Sequence, residues 1–262
     1  IIVKQSQNSF SFLLSYNPGF QSNYNEINKS FNKGFSFSLN YHFIINASST
    51  SILNHQVNIG IGYINNSFKI STDSLYQHFN AIDNEGQSFD KRVRIKALSE
   101  QAQISFLEFP ISYSPILNIN DKIKLSGLIG VSALYTINST YSGISGDFSY
   151  SGKFTGIKDE LSNISAYGLL NNQSVNTNLQ NLNIKEFSYT GFVGLGGEFA
   201  FNKSISLILG VKYIVFSSNL LKDNAASTIV SQNIGSYYSL AYLLPSLVVN
   251  PLLLNVGLKF NF

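Results

Sequence analysis

Five charged residues stand out in a chain that is otherwise poor in charge: Glu108, Lys124, Glu198, Lys212 and Lys259. Carboxylates and ammonium groups brought to one enclosed space either pair and plug it or pass protons through it. Three histidines, His42, His55 and His78, are the only imidazoles. Nucleophilic hydrolysis needs such a base within reach of a serine or cysteine and oriented by a third group. There is no cysteine, and no two histidines obviously converge with a carboxylate and a serine, so no catalytic residue is assigned and no enzyme is expected. Asp83, Glu85 and Asp90 gather in IDNEGQSFD, but their spacing misses the calcium-loop pattern and a solvated loop is expected, with no metal site. Gly191, Gly194, Gly196 and Gly197 in GFVGLGGE superficially match a dinucleotide fingerprint. They lie within a strand pattern with no helix after it, so no cofactor is expected.

The elements that must position these residues alternate with period two. Phe35, Phe37, Leu39, Tyr41 and Phe43 share one face of a strand, opposite Gly34, Ser36, Ser38, Asn40 and His42. The same pattern recurs at 10–17, 56–63, 106–113, 123–135, 187–201, 205–213 and 252–262, which makes eight antiparallel strands in one domain over residues 1–262. Each of the five charges falls on the polar face of its strand. His42 shares that face, His55 begins the third strand, and His78 is placed in a loop.

Composition selects the environment. Charged residues are 12 % of the chain, about half the roughly 25 % of a soluble domain, yet no apolar run approaches the ~20 residues of a membrane-spanning helix. The segment LAYLLPSLVVNPLLL is interrupted by Pro245 and Pro251. A net charge of +3 is too small for a nucleic-acid surface. A polar face of Ser, Asn, Gly and Gln suits an enclosed lumen, and an apolar face suits lipid.

Connections at 45–53, 115–121 and 202–203 are short, whereas those at 19–33, 71–100, 138–186 and 217–250 are long. Short turns at one rim and long loops at the other form the pattern of an eight-stranded up-and-down transmembrane β-barrel of the bacterial outer membrane, long loops outside the cell. Lipid-facing aromatics fall into two belts: Tyr16, Tyr63, Tyr135, Phe187, Tyr189 and Tyr213 near the loops, and Phe10, Tyr41, Phe43, Tyr113, Phe199, Phe201, Phe260 and Phe262 near the turns. The chain begins IIVKQSQNSF without Met, so removal of a secretory leader is expected.

In the fourth and fifth strands, FLEFPISYSPILNINDKIKLSGLIGVSALY resembles the central stretch of the PorT-type outer-membrane β-barrel family of Bacteroidota. The carrying run is Phe106-Leu107-Glu108-Phe109-Pro110, with FVGLGGEFAFNKSISLILGVKY and NPLLLNVGLKFNF similar to the family's later strands. Lys212 stands where the family often has Arg. The resemblance implies an eight-stranded barrel and, for some members, a part in type IX secretion and gliding. The terminal strand, with Phe260 and Phe262, also resembles the signal read by the barrel-assembly machinery.

Function is then expected at the loops. IGSYYSLAYLLPSLVV is unusually apolar for a segment outside the bilayer; Tyr237, Tyr238, Leu240, Tyr242, Leu243, Leu244, Leu247 and Val248 are expected to meet a protein partner or to be buried against another loop. With the five charges plugging the lumen, the expected role is a scaffold or accessory subunit of an outer-membrane assembly, in contact with lipid and a protein partner. The alternative is a small pore or ligand carrier.

Overall fold

The structure, a computed structural model, describes residues 8–18, 21–24, 27–31, 34–45, 52–83, 85–175, 177–222, 237–244, 246–249 and 251–262. Eight strands form the wall: β1 (Ser9–Asn17), β2 (Gly34–Ile44), β3 (Leu53–Ile82), β4 (Ser88–Asn118), β5 (Ile123–Phe154), β6 (Phe187–Ala200), β7 (Ile205–Ser217) and β8 (Leu252–Asn261). Each is antiparallel to its chain neighbours, and β1 pairs with β8 from Ser9↔Asn261 to Tyr16↔Leu254, so the ring closes. Closure leaves no unpaired edge within the wall, the condition a sheet must meet in lipid. The first, second and eighth strands have 9, 11 and 10 residues, the length that crosses a bilayer at a steep tilt.

The alternation sorts as the bilayer requires. Phe12, Leu14, Phe35, Ile59, Ile111, Ile129, Leu195, Leu209 and Val256 stand exposed on the outside, while Ser11, Ser36, Asn40, Asn58, Ser112 and Lys259 are buried inside. The chain is therefore an eight-stranded transmembrane β-barrel of the outer-membrane type. Aromatic side chains mark the turn rim: Phe10 stacks on Phe260 at 5.1 Å, and Phe262 tilts against both Phe10 and Tyr41. At the loop rim Tyr135 meets Phe187 at 5.1 Å. Two of the short turns at the turn rim are closed by asparagine side chains. Asn120 Oδ1 accepts from the amides of Lys122 and Ile123, and Asn202 Oδ1 from those of Ser204 and Ile205.

Three strands run well past the loop rim. β3, β4 and β5 have 30, 31 and 32 residues, whereas β2 pairs with β3 only as far as Asn65. At about 3.3 Å per residue the remaining hairpin rises roughly 50 Å along the strand beyond that point. Residues 71–100, expected as a loop, are thus two paired strands joined at Asp83, whose carboxylate accepts from the amides of Glu85 and Gln87. His78 accordingly lies on a strand rather than in a loop. Residues 141–154 (YSGISGDFSYSGKF), whose alternation in the sequence is that of a strand above the membrane, extend β5 to Phe154.

The reason these segments hid in the sequence is that the polarity of the two faces inverts above the rim. On β3 the inward positions in the wall are polar, but their continuation, Ile64, Phe68 and Ile70, is apolar and buried. The outward positions change from Ile59 and Ile61 to Asn65, Ser67 and Lys69. Outside the bilayer water lies on the outer face, so the apolar face must turn inward. On β4 a register shift at residues 96–99, with Ala97 at φ 48°, changes parity, so that Val93 and Ile95 join Leu98, Ala102 and Ile104 on the buried side.

The apolar core sits on this extension. Strand residues Phe68, Ile95, Leu98, Phe148 and Tyr150 are covered by Leu169 and Leu182 from the 155–186 connection and by Leu220, Tyr237, Leu240 and Leu247 from the last one. Backbone bonds anchor the cover: Tyr150 to Leu170 (2.9 Å), Leu182 to Ser139 (3.0 Å) and Leu220 to Leu247 (2.9 Å). The segment expected to offer an apolar surface therefore spends most of it internally. Tyr237, Leu240, Leu244 and Leu247 are buried, Tyr242, Leu243 and Val248 are half-buried, and Tyr238 alone of the eight is exposed. Burial against other loops removes their area from water, which is worth roughly 1.5–3 kcal/mol for each fully buried leucine. Pro245 lies outside the described residues.

Candidate functional site

All five singled-out charges face the lumen, and they form two clusters. Lys212 Nζ donates to Glu108 Oε1 at 2.6 Å, and Ser132 Oγ donates to the same oxygen at 2.6 Å. Closer to the turn rim Glu198 accepts from Lys124 Nζ (3.1 Å) on one oxygen and from Lys259 Nζ (2.9 Å) on the other. The strand register makes this possible: Glu198 pairs with Lys124 across β5 and β6, while Lys259 reaches from the closing strand. In a lumen of eight strands, a charge without such a partner would carry most of its desolvation cost unmet.

A third cluster gathers around His42. Its Nε2 lies 2.8 Å from Ser11 Oγ, and its Nδ1 lies 2.6 Å from Asn58 Oδ1. Asn58 Nδ2 in turn donates to Ser112 Oγ (3.0 Å) and Ser114 Oγ (2.9 Å). Gln56 accepts from Lys259 Nζ at 3.4 Å and donates to Asn58 Oδ1, which links the histidine to the Glu198 cluster. Sequence reasoning placed His42 in the lumen but missed its partners. Ser11, His42 and Asn58 come from the successive strands β1, β2 and β3, and the register of those two hairpins sets them side by side.

Together these groups line a chamber of about 140 Å³, enough for several waters. Toward the turn rim it approaches solvent at Lys124, whose side chain is 32 % exposed. Toward the loops it ends on Phe192, over whose ring Lys212 Nζ stands at 4.0 Å. Phe106, Leu134 and Ile214 are buried beside it, and the loop core follows above. The lumen is thus polar and partly hollow in its lower part and packed with apolar side chains in its upper part.

Comparison with known proteins adds little to this geometry. No protein-family model and no curated protein matches the chain. Solved structures that resemble it include Ail, the attachment invasion locus protein of Yersinia pestis, at 10 % identity and a TM-score of 0.36, covering 98 % of this chain and 99 % of that one. Ail in a phospholipid bilayer nanodisc aligns at 11 % identity and a TM-score of 0.34, covering 98 % and 100 %. The translocator domain of the autotransporter NalP from Neisseria meningitidis aligns at 9 % and 0.26, covering 100 % and 90 %. At these values the likeness carries nothing about function.

Above the rim one carboxylate holds the last connection in place. Glu100, buried on β4, accepts from Ser239 Oγ at 2.5 Å and from the Leu240 amide at 3.1 Å. Ser239 Oγ also accepts from the Ala241 amide at 3.1 Å, so one serine joins the carboxylate to the short turn Leu240–Leu243. Burial pushes the Glu100 carboxyl up to about 7 despite these donors, and burial beside it raises the Tyr237 and Tyr141 hydroxyls. No signal in the sequence marked Glu100, because its role needs a segment 140 residues away.

The remaining candidates separate. His55 sits at the turn rim, 2.5 Å from Tyr113 Oη and stacked on that ring. His78 meets Asp90 at 3.1 Å, and Asp90 also pairs with Arg92 at 3.0 Å, which reaches Glu160 at 2.8 Å. Asp83 is spent on its turn, so the acidic residues of that hairpin do not converge. Among the described residues no group of three potential metal ligands forms. Phe260 and Phe262 lie at the seam where β8 closes on β1.

Proposed function

We propose that this protein is a scaffold or accessory subunit of a bacterial outer-membrane assembly, with its long-loop rim facing outside the cell. One observation carries the reading: the covered extension of β3, β4 and β5, against which the described parts of the β5–β6 and β7–β8 connections pack as one apolar core. A pore has no use for such a superstructure, whereas a docking platform needs a shaped and pre-ordered surface. The filled upper lumen supports the same reading, since Phe192, Leu134 and Ile214 stand where a solute would have to pass.

The resemblance to the PorT-type barrels of Bacteroidota, including those in type IX secretion and gliding, belongs to this proposal as the class of assembly to look for. No catalytic step is part of the scaffold role. Isolation from native membranes in mild detergent, followed by mass spectrometry, tests it. A stoichiometric companion lost on truncation of the extension beyond the rim is the expected result. A barrel that comes out alone and carries a stable ion current in a planar bilayer overturns it in favour of a pore.

A further inference from the structure

We propose that the edge of β3 from Tyr76 to Asn80, high above the loop rim, docks an extended segment of a partner protein, which joins the sheet as an added strand. The origin of that segment in a companion protein rests on the scaffold reading.

One bond fixes the direction of the backbone groups. The Asp83 amide donates to the Gln87 carbonyl at 2.9 Å, across the turn that joins β3 to β4. The register runs unbroken from Ile82↔Ser88 to Ser74↔Lys96, and successive residues of a strand turn their backbone groups to opposite edges. Leu75, Gln77, Phe79 and Ala81 therefore bond to β4, while Tyr76, His78 and Asn80 turn N–H and C=O the other way. Ser74 faces that way too, but Thr72 Oγ1 donates to its carbonyl at 3.1 Å. Among the described residues no strand pairs with β3 on this side above Thr72.

The other edges of the extension are finished differently. Lower on β3, Ile27–Phe31 pairs with the stretch from Phe68 to Thr72. The far edge of β5 takes Gln180–Asn181, Gln173–Ser174 and Leu161–Ser162 in turn. An edge meant to stay bare is guarded by lysine, proline, an inward charge or a bulge. The stretch SLYQHFNAI has no proline, lysine, arginine, aspartate or glutamate. Its open row of donors and acceptors suits another extended backbone.

Side chains set what that backbone must carry. Leu75, Phe79 and Ala81 are half-buried at the border of the apolar core, and Tyr76 and His78 stand exposed on the outer face. An added strand that alternates apolar with polar residues prolongs the core on one face and meets water on the other. A second copy of this chain does not fit. Antiparallel pairing of two identical edges needs a two-fold axis perpendicular to the strands, which inverts one barrel relative to the membrane. Parallel pairing at equal depth sets His78 against His78, without the one-residue stagger of a parallel ladder.

The test uses the folded full chain in detergent and a nonapeptide that alternates valine with serine or threonine. Its valine nitrogens are methylated, so only one of its edges can bond. Amide exchange read by NMR should slow about tenfold at Tyr76, His78 and Asn80 as peptide is added, and stay unchanged at Gln77 and Phe79. A peptide methylated on every nitrogen should protect none of them. His78→Pro removes an edge N–H and no bond to β4, so heat-modifiable migration should persist while peptide binding is lost. His78→Ala should keep binding, which separates backbone from side chain. If His78→Pro does not fold, the exchange pattern and the fully methylated peptide decide. Unchanged exchange at the three amides, or equal binding by His78→Pro and wild type, overturns the proposal. A native companion that co-purifies equally with His78→Pro also overturns it and leaves the scaffold reading standing. Peptide bound by a barrel without a companion supports the edge site and overturns the scaffold reading alone.

Discussion

Glu198 and Lys259 meet inside the lumen at 2.9 Å, with side chains only 11 % and 4 % exposed. Lys124 occupies the other carboxylate oxygen, so one anion holds two cations. Replacing Glu198 by Gln leaves the Lys259 ammonium buried without a counter-charge and Lys124 unpaired beside it nearer solvent, which costs about 3–5 kcal/mol. Urea titration followed by heat-modifiable migration should show a lower midpoint. Adding Lys259→Met to that variant should recover a large part of the loss, because it removes one stranded charge.

The docking of the last connection should weaken as pH rises. Glu100 has its folded value near 7, above the ordinary 4.5, so the folded form keeps a proton that the unfolded form releases. Its contribution is complete below about 4.5 and disappears as pH rises through 7, a change on the order of 3 kcal/mol. Hydrogen exchange at Leu240, corrected for intrinsic rates, should be more protected at pH 5.5 than at 8.5. In Glu100→Gln that difference should vanish.

Gly257 lies on the closing strand, where an added Cβ would overlap the Phe12 carbonyl oxygen and come within 2.9 Å of Leu13 Cα. Both are backbone atoms of β1, so no side chain can swing away. Gly257→Val should open the seam, with a loss of folded, heat-modifiable barrel exceeding the usual 1–3 kcal/mol of overpacking. Gly197→Val is the control, because the nearest atom there is 3.9 Å away on the Leu125 side chain.

Leu247 is fully buried in the core above the rim. Leu247→Ala should cost about 2–5 kcal/mol of local stability, and Leu247→Asp should release the whole cover. Limited proteolysis should then cut within 155–186 and 237–249 while the barrel stays intact. A variant as resistant as the wild type would refute the single-core description.

Alternation made the wall legible. A strand presents successive side chains to opposite faces whatever it pairs with, so Phe35, Phe37 and Leu39 against Ser36, Ser38 and Asn40 declare a lipid face and a lumen face locally. The eight strands, the sorting of short turns from long loops, and the inward aim of Glu108, Lys124, Glu198, Lys212 and Lys259 all follow from that period. The tertiary structure decided the rest. Residues 71–100 alternate too, but their meaning reverses once water replaces lipid outside, and the shift at Ala97 breaks the parity, so that stretch read as a loop. Whether Tyr237, Leu240 and Leu247 meet a partner or pack against another loop stayed open, because the sheet that buries them is far away in the chain. Which lysine holds which glutamate, and that His42 lies between Ser11 and Asn58, depend on strand register. Register is settled only when β8 closes on β1, since the ring must satisfy every ladder at once.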